Sequence, residues 1–340
     1  MSDLEGGIEL ILAGDDDGRH RLLELHNRRP LSVTRLLTGL AADAALARVP
    51  LLWSVCAKAQ SAAAGAALAA AQGRALPDGL GARVLGERLV EHVWRLALDW
   101  TGRLGLEPQP ALVWAVRDAV RAGEPLPKPV LKALGTCFGQ LLETLAARGL
   151  SGIGARSAWR PLPARPDWPA LEAALGAAPA EAAAFVLHPL CAGQPAETGP
   201  LVRQAASPVV ARALERSGPC VATRLLALWM ELRADWGRVQ RGTGAAALLR
   251  AHSPRPGVGL AQVECARGTL THRVALDGPL VTGWRVLAPT EWNFHPRGPL
   301  ADAIATLPAQ SDADATRAAE TLAAALDPCV RIALRMTADA

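Results

Sequence analysis

Apolar residues in this chain recur mostly at three- and four-residue spacing, the period of a helix with one buried face. From about Ser32 the pattern predicts helices at 32–47, 51–72, 84–104, 109–122 and 128–148, most of them bounded by Gly or Pro. Further helices are predicted at 169–186, 207–216 and 221–241, between loop-like stretches at 151–170, 187–200 and 252–259. Two short apolar segments, Leu4 to Leu12 and Arg19 to His26, flank the turn-forming run Gly14-Asp15-Asp16-Asp17-Gly18 and predict a hairpin. A second β region follows late in the chain: 260–276 reads as one or two strands, Asp277-Gly278 as a hairpin turn and 279–288 as the return strand. A helix at about 312–326 and a last short helix after Asp327 close the chain. The predicted fold is mainly α with small β regions (α+β), a helical bundle capped by β structure, with no internal repeat.

Composition narrows the function classes. With 340 residues, 50% of them hydrophobic and 20% charged, the chain can bury a large core as one big domain or two smaller ones. The 36 basic and 32 acidic side chains give a net charge of only +4, and the arginines are dispersed, so nucleic-acid binding is not indicated. No charged-then-apolar signal pattern opens the sequence, and the Ala-rich segment 61–71 is too short to span a bilayer. A cytoplasmic protein with no membrane span is expected. Six cysteines without a C-x-x-C pair argue against a zinc ribbon or a thioredoxin-type site, and in that compartment they should stay reduced. His20, His92, His188 and His252 show no metal-ligand spacing, and no nucleophile–base constellation is present.

Two cysteines stand out by their surroundings. Cys56 opens an Ala-rich helical stretch, where a lone cysteine is usually a small buried apolar residue. Cys329 follows Asp327-Pro328, a good N-cap and first helical residue, which would set its thiol in the first turn of a closing helix where the dipole favours a thiolate.

Taken in order along the chain, several blocks resemble the large subunit of nickel–iron hydrogenases. Leu4-Glu5-Gly6-Gly7-Ile8-Glu9 resembles that family's opening R-I-E-G-H-x-R-I-E. Leu51 to Gln60 resembles its R-[IV]-C-G-[IV]-C-x-x-x-H motif, and Val263 to His272 its V-E-A-P-R-G-x-x-x-H. Leu287 to Arg297 resembles V-V-P-[ST]-T-W-N-x-x-P-R, and Asp327-Pro328-Cys329 the start of D-P-C-x-x-C-x-x-H. The match is weak, and the chain shortened, between about 75 and 255. The resemblance implies a single large-subunit-like domain over 1–340. In the hydrogenases four thiolates bind nickel, two of them bridging to an iron that carries two cyanides and one carbon monoxide. By position, Cys56 and Cys329 match metal-binding cysteines, Arg267 and Thr290 the donors to cyanide, Glu5 a proton-passing glutamate and Asp327 an aspartate beside the site.

The departures from the pattern carry as much information. Trp53 stands at a terminal nickel cysteine, Ile332 at a bridging cysteine, Gln60 at a histidine, and Arg335 and Thr34 at magnesium ligands. Only five residues follow Arg335, so no cleavable C-terminal extension is expected. Two thiolates cannot make the four-sulfur nickel site, yet can hold an iron that already carries soft diatomic ligands. This combination resembles the HupK/HoxV family of hydrogenase expression proteins, and implies a non-catalytic scaffold holding Fe(CN)2CO, without nickel, for transfer to the hydrogenase large subunit. Implied partners are a HypC-type chaperone, a HypD-type protein and that large subunit. Cys56 matches a bridging position and Cys329 a terminal one, so the iron would shift toward Cys329 or another group such as Cys265 would contribute. Cys265 also reads as a buried structural residue. A different class remains open, a metal-free interaction protein in which Cys56 and Cys329 are remnants.

Overall fold

A computed structural model describes residues 6–308 and 310–338; Glu5 lies outside them. The predicted N-terminal hairpin forms as β1 (Gly7–Gly14) and β2 (His20–Asn27), joined through Asp15 to Gly18. Ile8, Leu10 and Leu12 alternate onto the buried face of β1, as a period of two requires. The chain then makes a 3-10 turn over Leu31–Leu37 and two helices, α1 (Ala42–Leu52) and α2 (Ala57–Ala71). The predicted helix 32–47 is therefore broken, at Thr38-Gly39, where Gly39 takes a φ of +81°. The predicted helix 51–72 begins only after Cys56.

α3 (Leu80–Trp94) runs into a π-helical segment, Arg95–Trp100. Helices Pro110–Ala122, Lys128–Ala147 and Val221–Arg241 follow close to their predicted bounds. The predicted helix 169–186 is two, Trp168–Leu175 and Pro179–Leu187, because Pro179 starts a new one. With β1 and the helix Asp312–Ala325, the long helices enclose one apolar core through Leu89, Val116, Leu141 and Leu232.

The late β region is larger than predicted. Strands β3 (Leu249–Arg255), β4 (Val258–Cys265), β5 (Gly268–Asp277) and β6 (Leu280–Leu287) form an antiparallel sheet in that order. The stretch 252–259 is thus a hairpin rather than a loop. Pro254 is accommodated because β3 is an edge strand, and Pro256 falls in the turn to β4. The all-alanine face of α2 lies so close to this sheet that a Cβ on Gly259 would meet the Ala67 carbonyl oxygen at 1.9 Å.

The second correction is at the C-terminus. Residues after Asp327 do not form a helix; Arg331–Ala338 is strand β7, parallel to β1 and completing a sheet of order β2-β1-β7. Asp327 has a φ of +50° and donates its N–H to Ala324, so it ends the preceding helix in the left-handed position instead of capping a new one. Ile332, Leu334 and Met336 then alternate toward the core. This pairing, Gly7 opposite Arg331, brings the two ends of the chain together. Among the described residues no helix is long and apolar enough to cross a membrane.

Gly259→Ala should destabilise the fold by about 1–3 kcal/mol, since the helix and sheet must separate to admit the methyl group. The measurement is the urea midpoint against wild type; an unchanged midpoint would show that α2 and β4 pack less closely than described.

Candidate functional site

A cavity of about 820 Å³ opens where the separate motifs meet, lined by residues of 29–36, 51–60, 265–270, 285–291 and 328–331. Cys56, Cys265 and Cys329 all line it, together with Arg29 and Arg267. Each reaches the cavity by a different local device.

Cys56 is the N-cap residue of α2, in the break left where α1 ends after Pro50. Its own side chain caps nothing. The helix start is held instead by Glu87 of α3, which accepts from the N–H groups of Lys58 (2.8 Å) and Ala59 (2.9 Å) and so leaves the thiol facing the cavity. Burial pushes the Cys56 thiol up, Cys265 and Cys329 add to the rise, and Arg267 and a hydrogen bond from Gln60 oppose it.

Cys329 lies in the turn before β7, so the helix-dipole argument for its thiolate does not apply. Its Sγ is 3.0 Å from Thr290 Oγ1, which also accepts from the Cys329 N–H at 3.3 Å. Thr290 itself is buried in the short helix Pro289–Asn293. Thus two residues matched through separate motifs, Thr290 and Cys329, touch each other.

Cys265 ends β4 and Arg267 sits in the turn to β5 rather than on the same strand, yet both line the cavity. Burial pushes the Cys265 thiol up to about 11, against the pull of Arg203 and Arg267 and of backbone hydrogen bonds. The turn depends on Gly268, whose φ is +141° and where a Cβ would lie 2.5 Å from Thr198 Cγ2. Arg267 Nη2 donates to Glu91 at 3.0 Å, and its Nε faces Asp327 at 3.4 Å. Asp327 is held in turn by Arg95 of the π segment at 2.6 Å. Arg267 Nη1 is buried and makes no hydrogen bond to a described residue. Across the cavity Arg29 is paired with Glu291.

Behind the turn lies a buried ion network that the sequence did not disclose. Glu231 is 1% exposed and contacts Arg203 (2.6 Å), Arg88 (2.8 Å) and His92 (3.0 Å), while Arg88 also contacts Asp235 at 2.8 Å. The same two arginines hold the cavity wall: Arg88 donates to the Glu264 carbonyl, and Arg203 to the Ala266 carbonyl and to the Glu264 carboxylate. Burial alone would raise the Glu231 carboxyl, but Arg203 and Arg88, with hydrogen bonds from Arg203 and His92, hold it well below the usual carboxylate range.

The side chains at the positions where the hydrogenase pattern is lost have partners of their own. Trp53 lines the cavity and meets the ring of His272 edge-on at 6.1 Å. Ile332 packs on the core, and Arg335 pairs with Glu9 at 3.1 Å. Thr34 is buried and donates to the Leu31 carbonyl. The other histidines have structural partners: His20 with Asp312, His252 stacked on Trp168, and His188 against His295. Among the described residues no three His, Cys, Asp or Glu side chains converge as a ready metal cluster. The cavity therefore offers two or three separate thiols and cationic donors in a mostly apolar wall. Arg29, Glu91 and Arg203 were missed because each acts over a long sequence separation; Gln60 and His272 were in the quoted motifs, but not as partners.

The fold is shared with solved hydrogenases. A Ni-Fe-Se hydrogenase chain from D. vulgaris Hildenborough superposes with a TM-score of 0.58 at 17% identity, covering 94% of this chain and 96% of that one. One from Desulfomicrobium baculatum gives a TM-score of 0.59 at 15% identity, covering 94% and 97%. The fold is that of a [NiFe]-hydrogenase large-subunit-like chain, with Trp53 and Ile332 where the motifs it resembles carry cysteines.

Sequence relatives narrow the class. The chain is 34% identical to the hydrogenase expression/formation protein HupV of Azotobacter chroococcum mcd 1, over 94% of this chain and 96% of the relative. It is 33% identical to HupK of Azotobacter vinelandii (94% and 96%) and 31% identical to HoxV of Cupriavidus necator (89% and 90%). No protein-family model matches. The chain belongs to the HupK/HupV/HoxV family of hydrogenase expression/formation proteins, accessory proteins of hydrogenase maturation.

Glu231→Gln should cost about 3–5 kcal/mol, because it leaves buried arginines short of a counter-charge. The sign with pH follows from its depressed pKa: the carboxylate contributes stability above the ordinary carboxylate range, and that contribution is lost as pH falls through the folded value. Wild type should thus lose stability in acid more steeply than the variant. Parallel urea titrations at several pH values measure both effects, and equal slopes would refute the assignment.

Proposed function

We propose that the chain is an assembly scaffold which holds an Fe(CN)2CO unit, bound by Cys56 and Cys329, for transfer to a hydrogenase large subunit. The observation that carries this reading is the convergence of Cys56, Arg267 and Cys329 on one cavity although they are far apart in sequence. The iron unit is cargo. Its cyanides need hydrogen-bond donors in an apolar pocket, and Arg267 Nη1 is a buried donor with no partner among the described residues. Thr290 lies against Cys329 and supplies a second polar group. Asp327 and Glu91 hold the Arg267 guanidinium in place.

The replaced positions also support a holding role over catalysis. With Trp53 and Ile332 where two cysteines would stand, no four-sulfur nickel site can form, so the cargo is iron without nickel. Burial raises the Cys56 thiol, so metal binding there displaces a proton.

Around the cavity mouth, Leu51 is 80% exposed, and Leu36 and Val55 are also exposed, beside Arg35 and Arg331. Exposed apolar groups at the opening suit protein partners that deliver and receive the cargo. The partners of this reading are a HypC-type chaperone, a HypD-type protein and the acceptor large subunit, in the cytoplasm.

The test is infrared spectroscopy of protein purified without air from a host with its maturation genes, alongside Cys56→Ala and Cys329→Ala. Cyanide and carbonyl bands should be present in wild type and reduced at least about tenfold in each variant. A blank wild-type spectrum, with maturation intact in both variants, would establish the metal-free interaction protein instead.

A further inference from the structure

Gln60 stands one helical turn after Cys56 on α2 and is 1% exposed. Its Nε2 donates to Cys56 Sγ at 3.6 Å, and its Oε1 lies 2.8 Å from His272 Nε2. His272, on β5, is fully buried, and its Nδ1 lies 3.2 Å from Trp284 Nε1 on β6. These four side chains form one continuous buried line from the sheet to the cavity.

The direction of every bond in that line is determined. An indole nitrogen can only donate, so His272 Nδ1 is the acceptor and its proton is on Nε2. That N–H needs an acceptor, and Gln60 Oε1 is the atom in reach. The amide is thereby oriented with its NH2 end toward the sulfur. Turning it over would oppose two donors at His272 and leave its buried N–H unsatisfied. His272 stays neutral because burial lowers its pKa to about 3, so the line keeps one polarity. Trp53 packs edge-on against the same imidazole and closes it from the cavity.

We infer that Gln60 is a positioning residue for the iron cargo: His272 and Trp284 lock its amide so that an N–H is always presented to the Cys56 sulfur. This rests on the proposed role of Cys56 as an iron ligand. An N–H bond to a metal-bound sulfur withdraws electron density from it and fixes its direction. A glutamine does this without a proton of its own to gain or lose.

The decisive variant is Gln60→Glu, similar in size but with an acceptor turned to the sulfur. In protein prepared for the infrared measurement, Q60E should retain less than half of the wild-type iron, and its cyanide and carbonyl bands should move to lower wavenumber. Trp284→Phe, which leaves the site intact but frees the far end of the line, should broaden the bands by letting the amide turn over. Nitrogen NMR of cargo-free, histidine-labelled wild type reads the line directly and independently of iron, with His272 assigned by its loss on substitution. The expected signal is the neutral Nε2–H form. An Nδ1–H form, or unchanged iron and bands in both variants, would overturn the inference while leaving the scaffold standing. A wild type without iron bands would remove the scaffold, and this role with it, even where the tautomer is as expected.

Discussion

The Glu231 carboxylate, enclosed by Arg203, Arg88 and His92, is the contact on which the cavity wall depends. Without it Arg88 would keep only Asp235, and Arg203 only Glu264, as counter-charge. With it, Arg88 and Arg203 can extend from the helical core to the carbonyls of Glu264 and Ala266 and pin the β4–β5 turn. That turn carries Cys265 and Arg267. The charge network therefore couples the helical core to the functional face of the sheet. A loose turn would let the Arg267 guanidinium leave the Glu91 and Asp327 carboxylates that aim it.

A second constraint acts at the chain ends. β7 pairs with β1 across nearly the whole length of the chain, and Cys329, in the turn before β7, meets Thr290 where the ends come together. No local segment contains the site. Cys56 comes from a helix break, Arg267 from a tight turn, Thr290 from a short helix and Cys329 from the final strand's approach. A ligand spanning Cys56 and Cys329 would bind the closed fold and not the unfolded chain, so on the proposed reading loading also stabilises closure.

Much of this was legible in the sequence where the signal was local. The helix Val221–Arg241 and the Asp277-Gly278 hairpin follow directly from periodicity and turn residues. The failures have specific physical causes. Ser253-Pro254-Arg255-Pro256-Gly257 reads as a loop because proline seldom enters strands, but an edge strand needs no N–H from it on its open side. Asp327-Pro328 carries a genuine helix-start signal, yet Asp327 takes a positive φ to end the helix before it, and the alternation of Ile332, Leu334 and Met336 prevails. Of the site, Cys56, Cys329, Arg267 and Thr290 were marked by motif. Arg29, Glu91, Arg95 and Arg203 were not, because their roles exist only through partners distant in the chain.

The replaced motif positions have acquired packing roles of their own. Trp53 covers His272, and its indole occupies cavity wall. Arg335 satisfies the partly buried Glu9 carboxylate from the neighbouring strand. Gln60 joins His272 to Cys56. Restoring a single cysteine at Trp53 would remove a large, partly buried indole and uncover His272, with Ile332 still standing at the bridging position of the motif. The loss of the four-sulfur pattern is consequently embedded in the packing around the cavity. Several neighbours would have to change together before such a site could form in this chain.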